Sequence, residues 1–266
     1  MIPASGSLAP RSATNKPRHA VRTLVIVPAK DEAASLPDVL RRLRPFHSPA
    51  DTLVVDDGSA DDTANLARSA GCQVVQHPFN LGYGAALLTG YHYAADYGFT
   101  HVIQMDADGQ HPAEAIPSLL QPVLDDQADL VLGSRYRADN ANEHGGLRRI
   151  AAHPIAWIAS LWMGQRITDP TSGFQALSPA ALAMLCSDGF PEDYPDVDVL
   201  IGLHRAGLRV EEVPVAMRQR LGGTSMHGGV HALYYFYRLA MCLLLLPLRR
   251  SSPYRSQRRA NKRARA

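Results

Sequence analysis

Residues 23–58 read TLVIVPAKDEAASLPDVLRRLRPFHSPADTLVVDDG. Two short aliphatic runs, Thr23–Pro28 and Thr52–Asp56, flank a segment with the period of an amphipathic helix, Leu36–Leu43. A strand, a helix and a second strand in this order are typical of a βαβ unit, in which the two strands pair in parallel. This stretch therefore predicts a parallel sheet that is covered by helices.

The same alternation of strands and helices continues on the C-terminal side of this unit. The strand segments are apolar on both faces, as expected where helices cover a sheet above and below. We therefore expect an α/β fold with a Rossmann-like, mostly parallel, nucleotide-binding sheet. Further strands are predicted at 72–76, 101–105, 129–132 and 209–214, a short strand or turn at 173–177, and helices at 61–69, 83–97, 112–124, 147–163, 179–185 and 197–206.

The composition is that of a globular protein, since 46% of the 266 residues are hydrophobic and 20% are charged. Its three cysteines, Cys72, Cys186 and Cys242, are far apart and form no CxxC pair. This pattern argues against a disulfide framework and against a zinc site. It favours the reducing environment of the cytoplasm.

Charge is distributed unevenly along the chain. Segment 1–22 has four basic residues and segment 249–266 has eight, and neither contains an acidic residue. Removing these twelve from the 27 basic residues leaves 15 against all 25 acidic ones, so the middle carries a formal charge of −10. An acidic body suits cation binding, and basic ends suit an anionic surface.

The two ends are predicted to lie outside the folded domain, 23–228. Segment 1–22 lacks the apolar core of a secretory signal and is rich in Pro, Ser and Ala, so we expect disorder. Segment 229–248 includes the run LAMCLLLLPL, which is shorter than the about 20 residues of a membrane span. An interfacial helix is expected there, with a core-packing helix as the alternative, followed by a disordered basic tail at 249–266. No nucleic-acid partner is expected, because Tyr254 is the only aromatic residue among the basic residues of the tail.

The sequence Asp106-Ala107-Asp108 directly follows the predicted strand at 101–105. Ligands of open parallel sheets bind beyond the carboxyl ends of the strands. Two carboxylates at such a place suit a hard divalent cation that also binds diphosphate oxygens. The alternative is an acidic turn in which Asp108 caps the helix that begins near Pro112.

Two other predicted strands also end in polar residues. Asp56-Asp57-Gly58-Ser59 follows the second strand, where a carboxylate suits a base or a ribose and Gly58 permits a tight turn. The first strand leads into Pro28-Ala29-Lys30-Asp31-Glu32. Each segment alone is also compatible with an ordinary helix start. Three such ends at one edge of a sheet favour a binding site.

A dinucleotide-binding site is disfavoured. Gly82-Tyr83-Gly84 begins like GxGxxG, but Leu87 occupies the place of the third glycine. The segment also does not follow the first strand, as that motif requires.

Seven motifs, in matching order and spacing, resemble those of family 2 glycosyltransferases with the GT-A fold. The resemblance covers 23–225 and is strongest to polyprenyl-phosphate glycosyltransferases similar to dolichol-phosphate mannosyltransferase. The motifs are VIVPAKDEAASL, VVDDGSADDT, FNLGYGAALLTGY, QMDADGQH, LVLGSRY, ITDPTSGFQAL and VEEVPVAMRQRLGGTS.

The resemblance implies an inverting, metal-dependent transfer of a sugar from a UDP- or GDP-sugar, with Mg²⁺ or Mn²⁺ as cofactor. It implies donor contacts at Pro28, Lys30, Glu32, Asp57, Asp106 and Ala107. It implies metal binding by Asp106, Asp108 and Gln110, and catalytic roles for Asp108, Arg135, Asp169 and Arg220. The apolar segment and the basic tail favour a polyprenyl-phosphate acceptor and a peripheral position on the inner, cytoplasmic face of the cell membrane.

Three positions depart from the family pattern. Lys30 stands where many relatives have Asn or Tyr, Gln175 where Arg is frequent, and Met226 where many have Lys. These departures keep two alternatives open: a hydroxyl acceptor in cell-surface glycan synthesis, and a non-catalytic protein that binds nucleotide sugars. A hydroxyl acceptor would need a general base, for which the candidates are Asp169, Asp196 and Asp198.

Two further enzyme classes fit less well. A sugar-1-phosphate nucleotidyltransferase needs a glycine-rich basic loop after its first strand, and PAKDEAASL has no glycine. The QxxRW motif of polysaccharide synthases is absent from the sequence.

Overall fold

The computed structural model describes residues 21–137, 146–187 and 197–220. The first half contains β1 (Thr23–Ala29), α1 (Leu36–Leu43), β2 (Thr52–Asp56), α2 (Thr63–Ser69), β3 (Gln73–Gln76), α3 (Tyr83–Asp96), β4 (His101–Gln104) and α4 (Ile116–Leu124). The second half contains β5 (Leu130–Ser134), α5 (Gly146–Met163), β6 (Gln175–Leu177), α6 (Pro179–Leu185), α7 (Val197–Arg205) and β7 (Val210–Pro214). The predicted interfacial helix at 229–248 and the tail at 249–266 lie outside the described residues.

The seven strands form one sheet in the order β3-β2-β1-β4-β6-β5-β7. All neighbouring pairs are parallel except those of β6, which runs antiparallel to both β4 and β5. The predicted α/β fold with a mostly parallel sheet is therefore confirmed, and Gln175–Leu177 is a strand. Because β4 and β5 run in the same direction, the carboxyl ends of β1, β2, β4, β5 and β7 share one edge of the sheet. The amino end of β6 lies at the same edge.

Alternate side chains of the strands enter two apolar layers, as the two-residue period of a strand requires. In β1, Leu24 and Ile26 pack in the layer that contains α3, α5, α6 and α7. Val25 and Val27 pack in the opposite layer, which contains α1 and α4. Helix α3 approaches β1 so closely that a Cβ on Gly90 would lie 2.6 Å from Ile26.

Two predicted helices begin later than the sequence indicated. Helix α2 begins at Thr63 and not at Asp61, because an Asp61 carboxylate oxygen accepts a bond from the Thr63 amide and shapes the preceding turn. Helix α4 begins at Ile116, after a short 3-10 turn at Ala113–Ala115. Within the part of the chain that the structure describes, no helix is long and apolar enough to cross a membrane.

Candidate active site

Asp106 follows β4 and is held by two aromatic side chains. The Tyr83 hydroxyl, at the start of α3, donates to Asp106 Oδ1 at 2.9 Å. His111 Nε2 lies 3.6 Å from Asp106 Oδ2, and the Asp106 amide donates to His111 Nδ1 at 2.9 Å. Since Nδ1 accepts this bond, the neutral imidazole carries its proton on Nε2 and directs it toward the carboxylate. The orientation of Asp106 is therefore fixed from two sides.

His111 is buried against segment 168–174, which reads TDPTSGF. Its ring stacks on Phe174, with the centroids 4.9 Å apart and the planes 10° from parallel. Burial lowers the pKa of His111, and the negative charges of Asp106 and Asp108 only partly oppose this shift. The ring is therefore neutral at neutral pH, which preserves the Nε2–H donor.

Tyr83 is positioned in turn by a buried polar pair. The Gln104 side-chain amide donates to the Tyr83 hydroxyl at 3.1 Å, and the Tyr91 hydroxyl donates to Gln104 Oε1 at 2.6 Å. A Cβ on Gly173 would lie 3.0 Å from both the Tyr83 hydroxyl and Asp106 Oδ2. Glycine at 173 therefore permits segment 168–174 to pack closely against Asp106.

The two carboxylate oxygens of Asp108 have different surroundings, one within its own turn and one near Arg220. Its Oδ1 accepts a bond from the Gln110 amide at 2.9 Å, as the acidic-turn alternative requires. The 3-10 turn after Pro112 has no side-chain cap, so Asp108 does not cap the next helix. Its Oδ2 lies 3.9 Å from Arg220 Nε. The Gln110 carbonyl accepts from the Arg218 amide at 2.8 Å, which ties the segment containing Arg220 to this turn.

Arg220 links the ends of β1 and β4. Its Nη2 donates to Glu32 Oε1 at 3.0 Å. Burial raises the pKa of Glu32, although bonds from the Ser35 hydroxyl and the charge of Arg220 lower it in part. Arg220 therefore stands between two carboxylates, Glu32 and Asp108, at the edge of the sheet.

Asp57, at the end of β2, organises the loop that enters α3. Its oxygens accept bonds from the Leu81 amide at 2.8 Å and the Gly82 amide at 2.9 Å, and His77 Nδ1 lies 2.8 Å from Oδ1. The neighbouring Gly58 has φ +67°, and a Cβ there would lie 2.6 Å from the Phe79 carbonyl carbon. The donor contact that the resemblance implies for Asp57 remains a prediction.

The remaining donor-side positions lie along β1 and after β4. Lys30 Nζ donates to the Gly58 carbonyl at 2.6 Å, which joins the ends of β1 and β2. Pro28 and Ala107 are buried at this edge, and the donor contacts that the resemblance implies for them remain predictions. Gln110 is half-buried beside Asp108.

Arg135, after β5, forms a partly buried ion pair with Asp169 in segment 168–174. Its backbone N and its Nε donate to Asp169 Oδ2 at 3.1 and 2.7 Å. Burial opposes the charge of Arg135, but the charge of Asp169, its hydrogen bond and the other negative groups nearby together raise the pKa of the guanidinium. Asp169 Oδ1 is buried and has no hydrogen-bond partner among the described residues.

Glu212 in β7 fixes the backbone that carries Asp169. Its carboxylate accepts bonds from the Thr168 amide at 2.9 Å, the Asp169 amide at 2.8 Å and the Thr168 hydroxyl at 2.9 Å. The Thr168 hydroxyl also lies 2.7 Å from Ser134 Oγ, next to Arg135. Hydrogen bonds therefore connect Glu212 to the backbone of Asp169, and the Asp169 carboxylate to Arg135.

The oxygen atoms of Asp106 and Asp108 fit a hard divalent cation. The two side chains retain 32% and 11% of their exposure, so both can meet a ligand. The described segments contain no group of three or more His, Cys, Asp or Glu side chains that could hold a metal ion. Two protein carboxylates suit a cation whose other ligands are diphosphate oxygens and water.

The structure thus places Asp106, Asp108, Glu32 and Arg220 together, with Arg135 and Asp169 beside them. The charges of Asp106, Asp108, Arg135 and Asp169 all act on His111, which confirms their proximity. Asp198 lies in the first turn of α7, and Asp196 lies outside the described residues.

Several side chains of this site were not assigned a role from sequence, among them His77, Tyr83, His111 and Glu212. Tyr83 was considered only as part of an incomplete glycine motif. For Glu212 a signal was present, because the two-residue period of VEEVP places it on the same face as the buried Val210.

The fold is that of a GT-A glycosyltransferase. A solved structure of glucosyl-3-phosphoglycerate synthase from Mycobacterium tuberculosis, in complex with Mn²⁺, UDP-glucose and phosphoglyceric acid, superimposes with a TM-score of 0.64. It is 25% identical, and the match covers 85% of this chain and 80% of that one.

Residues 24–182 match the model of glycosyl transferase family 2, and the chain belongs to this family. The undecaprenyl-phosphate mannosyltransferase of Micrococcus luteus is 33% identical over 222 residues, which cover 79% of this chain and 89% of that protein. The polyprenol monophosphomannose synthase of Mycolicibacterium smegmatis is 31% identical over 231 residues, covering 82% and 86%. The resemblance to polyprenyl-phosphate glycosyltransferases is therefore confirmed.

Proposed function

We propose that this family 2 glycosyltransferase moves a sugar from a UDP- or GDP-sugar to a polyprenyl phosphate at a membrane surface, with Mg²⁺ or Mn²⁺ as cofactor. The observation that carries this proposal is the arrangement at the end of β4. Asp106 and Asp108 present carboxylates with Arg220 beside them, and Arg135 lies close enough for its charge to interact with Asp106. The two carboxylates suit a divalent cation. That cation and the two guanidinium groups together complement the negative charge of a nucleoside diphosphate.

In this proposal Asp106, Asp108 and Gln110 hold the cation, which when bound neutralises charge on the departing diphosphate. Tyr83 and His111 orient Asp106, so that its carboxylate is already in place before the donor arrives. Preorganised groups of this kind need no rearrangement during the reaction.

Arg220 and Arg135 bind the phosphates. In the described residues the bonds of Arg135 to Asp169 use its backbone N and its Nε, which leaves both Nη groups for a phosphate oxygen. Arg220 exchanges its contacts with Glu32 and Asp108 for the donor. Pro28, Lys30, Glu32, Asp57 and Ala107 line the nucleotide side.

A polyprenyl phosphate is supported by the substrates that the names of the relatives give, undecaprenyl phosphate and polyprenol. A phosphate oxygen is anionic at neutral pH and attacks the anomeric carbon without a strong general base, with inversion in a single displacement. Asp169 then serves to hold Arg135 and not to remove a proton. The predicted interfacial segment 229–248 and the basic tail support a peripheral position of the enzyme on the cytoplasmic face of the membrane.

A hydroxyl acceptor is the second candidate, and one observation favours it. Asp169 Oδ1 is buried and lacks a hydrogen-bond partner among the described residues, so it can accept a proton from an acceptor hydroxyl. In that reaction Asp169 would act as the general base.

The test incubates the full chain with UDP-glucose, UDP-N-acetylglucosamine or GDP-mannose, with Mn²⁺ or Mg²⁺. Undecaprenyl phosphate in detergent and 3-phosphoglycerate serve as alternative acceptors. We expect an organic-soluble sugar–lipid product with one of the donors and none in EDTA. Product formed only with 3-phosphoglycerate would show that the acceptor is a hydroxyl group and not a lipid phosphate. Donor binding without any product would support the non-catalytic alternative.

A further inference from the structure

The Asp57 carboxylate is almost fully occupied by bonds within the protein. An ionised carboxylate has about four acceptor positions, two on each oxygen. Oδ1 accepts a bond from the Leu81 amide at 2.8 Å and another from His77 Nδ1 at 2.8 Å, since a carboxylate can only accept. Oδ2 accepts from the Gly82 amide at 2.9 Å. Among the described residues, one acceptor position is therefore left open, on Oδ2, and the side chain retains 6% of its exposure.

Lys30 brings a hydrogen-bond donor to the neighbouring strand end. The Asp57 amide donates to the Ala29 carbonyl at 2.9 Å, and Lys30 Nζ donates to the Gly58 carbonyl at 2.6 Å, so the two residues are joined across β1 and β2. The ammonium has three N–H groups, and a second one faces Asp31 Oδ2 at 3.1 Å. Within the described part of the chain the third has no partner, and the side chain is 36% exposed.

Uracil and guanine differ in the edge that such a pair of groups would contact. Uracil has a single donor, N3–H, with a carbonyl group on each side. Guanine has two adjacent donors, N1–H and the N2 amino group, and a carboxylate pairs with both only if each of its oxygens accepts one. In Asp57 the second oxygen, Oδ1, already accepts two bonds. One open acceptor beside one open donor therefore matches uracil and leaves the N2 amino group of guanine without a partner on Asp57.

We propose that Asp57 and Lys30 select uracil, so that the sugar donor of this enzyme is a UDP-sugar and not a GDP-sugar. His77 is a positioning residue in this selection, because its bond fills Oδ1 and removes the second acceptor that guanine needs. An unpaired donor at a binding site costs enough to weaken GDP relative to UDP by about 10-fold or more. This inference rests on the proposed function, since it takes a nucleoside diphosphate to bind at this edge with its base toward Asp57.

Isothermal titration of the full chain with UDP, GDP and 3-methyl-UDP, each with Mn²⁺, tests the selection. We expect UDP to bind about 10-fold or more tightly than GDP. We also expect 3-methyl-UDP, which lacks the N3–H donor, to bind more weakly than UDP. Equal affinities for UDP and GDP, or for UDP and 3-methyl-UDP, would overturn the proposal and leave the proposed function standing. If none of the three nucleotides bound, the proposal and the proposed function would both be refuted.

Substitutions of His77 test why guanine is rejected. His77→Leu opens a position on Asp57 Oδ1, and we expect the ratio of the GDP to the UDP dissociation constant to fall toward one. His77→Asn is the conservative variant, because its side-chain amide can donate in place of Nδ1 and should keep the ratio high. Thr89→Val is the matched control, since it removes only the other partner of the ring, at Nε2. A purely structural role of His77 would weaken both nucleotides equally, and an unchanged ratio in His77→Leu would overturn its role in selection.

Lys30→Met tests the donor to a uracil carbonyl. Sulfur accepts hydrogen bonds less well than oxygen. In the unsubstituted chain we therefore expect either 2-thio-UDP or 4-thio-UDP to bind more weakly than UDP, depending on which carbonyl Lys30 contacts. This difference should disappear in Lys30→Met, whereas a general loss of structure would leave it in place. A difference that persists in Lys30→Met, or equal binding of all three nucleotides to the unsubstituted chain, would refute the contact of Lys30 with the base.

Discussion

The two halves of the sheet edge use acidic residues in different ways. After β4, Asp106 and Asp108 keep 32% and 11% of their side-chain exposure and are held by neutral or distant partners. Before β6 and in β7, Asp169 and Glu212 keep only 1% each and are bonded to the chain itself. After the roles proposed above, we call these the donor half and the acceptor half. The donor half provides open ligands, whereas the acceptor half provides a rigid frame for Arg135.

The largest expected effect is that of Asp108→Asn in the donor half. Removing this charge weakens cation binding, and we expect sugar transfer to fall by about 10³-fold, the order seen when one electrostatic contact to a transition state is lost. The fold should remain intact, because the amide oxygen can still accept the bond from Gln110. Transfer rates at the lowest Mn²⁺ concentration that saturates the unsubstituted chain measure the effect, and Asp125→Asn, an exposed acid after α4, is the control. Retained turnover in Asp108→Asn would refute the metal assignment.

In the acceptor half, Asp169→Asn is expected to act first on stability. It leaves the mostly buried Arg135 without its counter-charge, and breaking such a pair costs about 3–5 kcal/mol. Urea unfolding followed by circular dichroism measures the change. If activity is lost while the free energy of unfolding stays the same, Asp169 acts on the substrate and the hydroxyl-acceptor alternative gains support.

Glu212→Gln tests the acceptor half at a residue that is connected to Arg135 only through segment 168–169. The amide retains one oxygen for the bonds from Thr168 and Asp169 but loses the other and the charge. We expect a loss of about 1–3 kcal/mol in unfolding free energy and a fall in kcat greater than any change in the KM of the donor. The matched control is Glu211→Gln, because Glu211 is the exposed neighbour in the same strand. Equal effects of the two substitutions would show that Glu212 does not position this segment.

The smallest expected effect is that of Tyr83→Phe in the donor half. It removes the hydroxyl that donates to Asp106, and losing such a support of a metal ligand typically weakens affinity about 10-fold or more. Titration of Mn²⁺ in the presence of a nucleoside diphosphate measures this affinity. Tyr97→Phe, at the exposed end of α3, is the control. Unchanged affinity in Tyr83→Phe would show that His111 alone is sufficient to orient Asp106.

The donor half was largely predictable from sequence, for a local reason. Asp57, Asp106 and Asp108 each follow an apolar strand directly, and parallel strands bring their carboxyl ends to one edge. The partners that orient these acids, such as the Tyr83 hydroxyl that donates to Asp106, were not predicted from sequence. They come from other elements and depend on how α3 packs on the sheet.

The acceptor half was less predictable, because it depends on strand order. The sequence motifs named Arg135 and Asp169 but not their contact with each other or with Glu212. That contact requires β6 to insert between β4 and β5 in the antiparallel direction and β7 to pair with β5. No local pattern in the chain specifies this order.

We propose that Asp106 and Asp108 hold a divalent cation that binds a nucleoside diphosphate in the donor half. The most direct measurement is the melting temperature of the full chain with UDP or GDP, with Mn²⁺ or with EDTA, compared with that of Asp106→Asn. Since a ligand that binds the native state raises its melting temperature, we expect a rise that needs both nucleotide and Mn²⁺ and is lost in the variant. An equal rise in EDTA, or in Asp106→Asn, would contradict the claim.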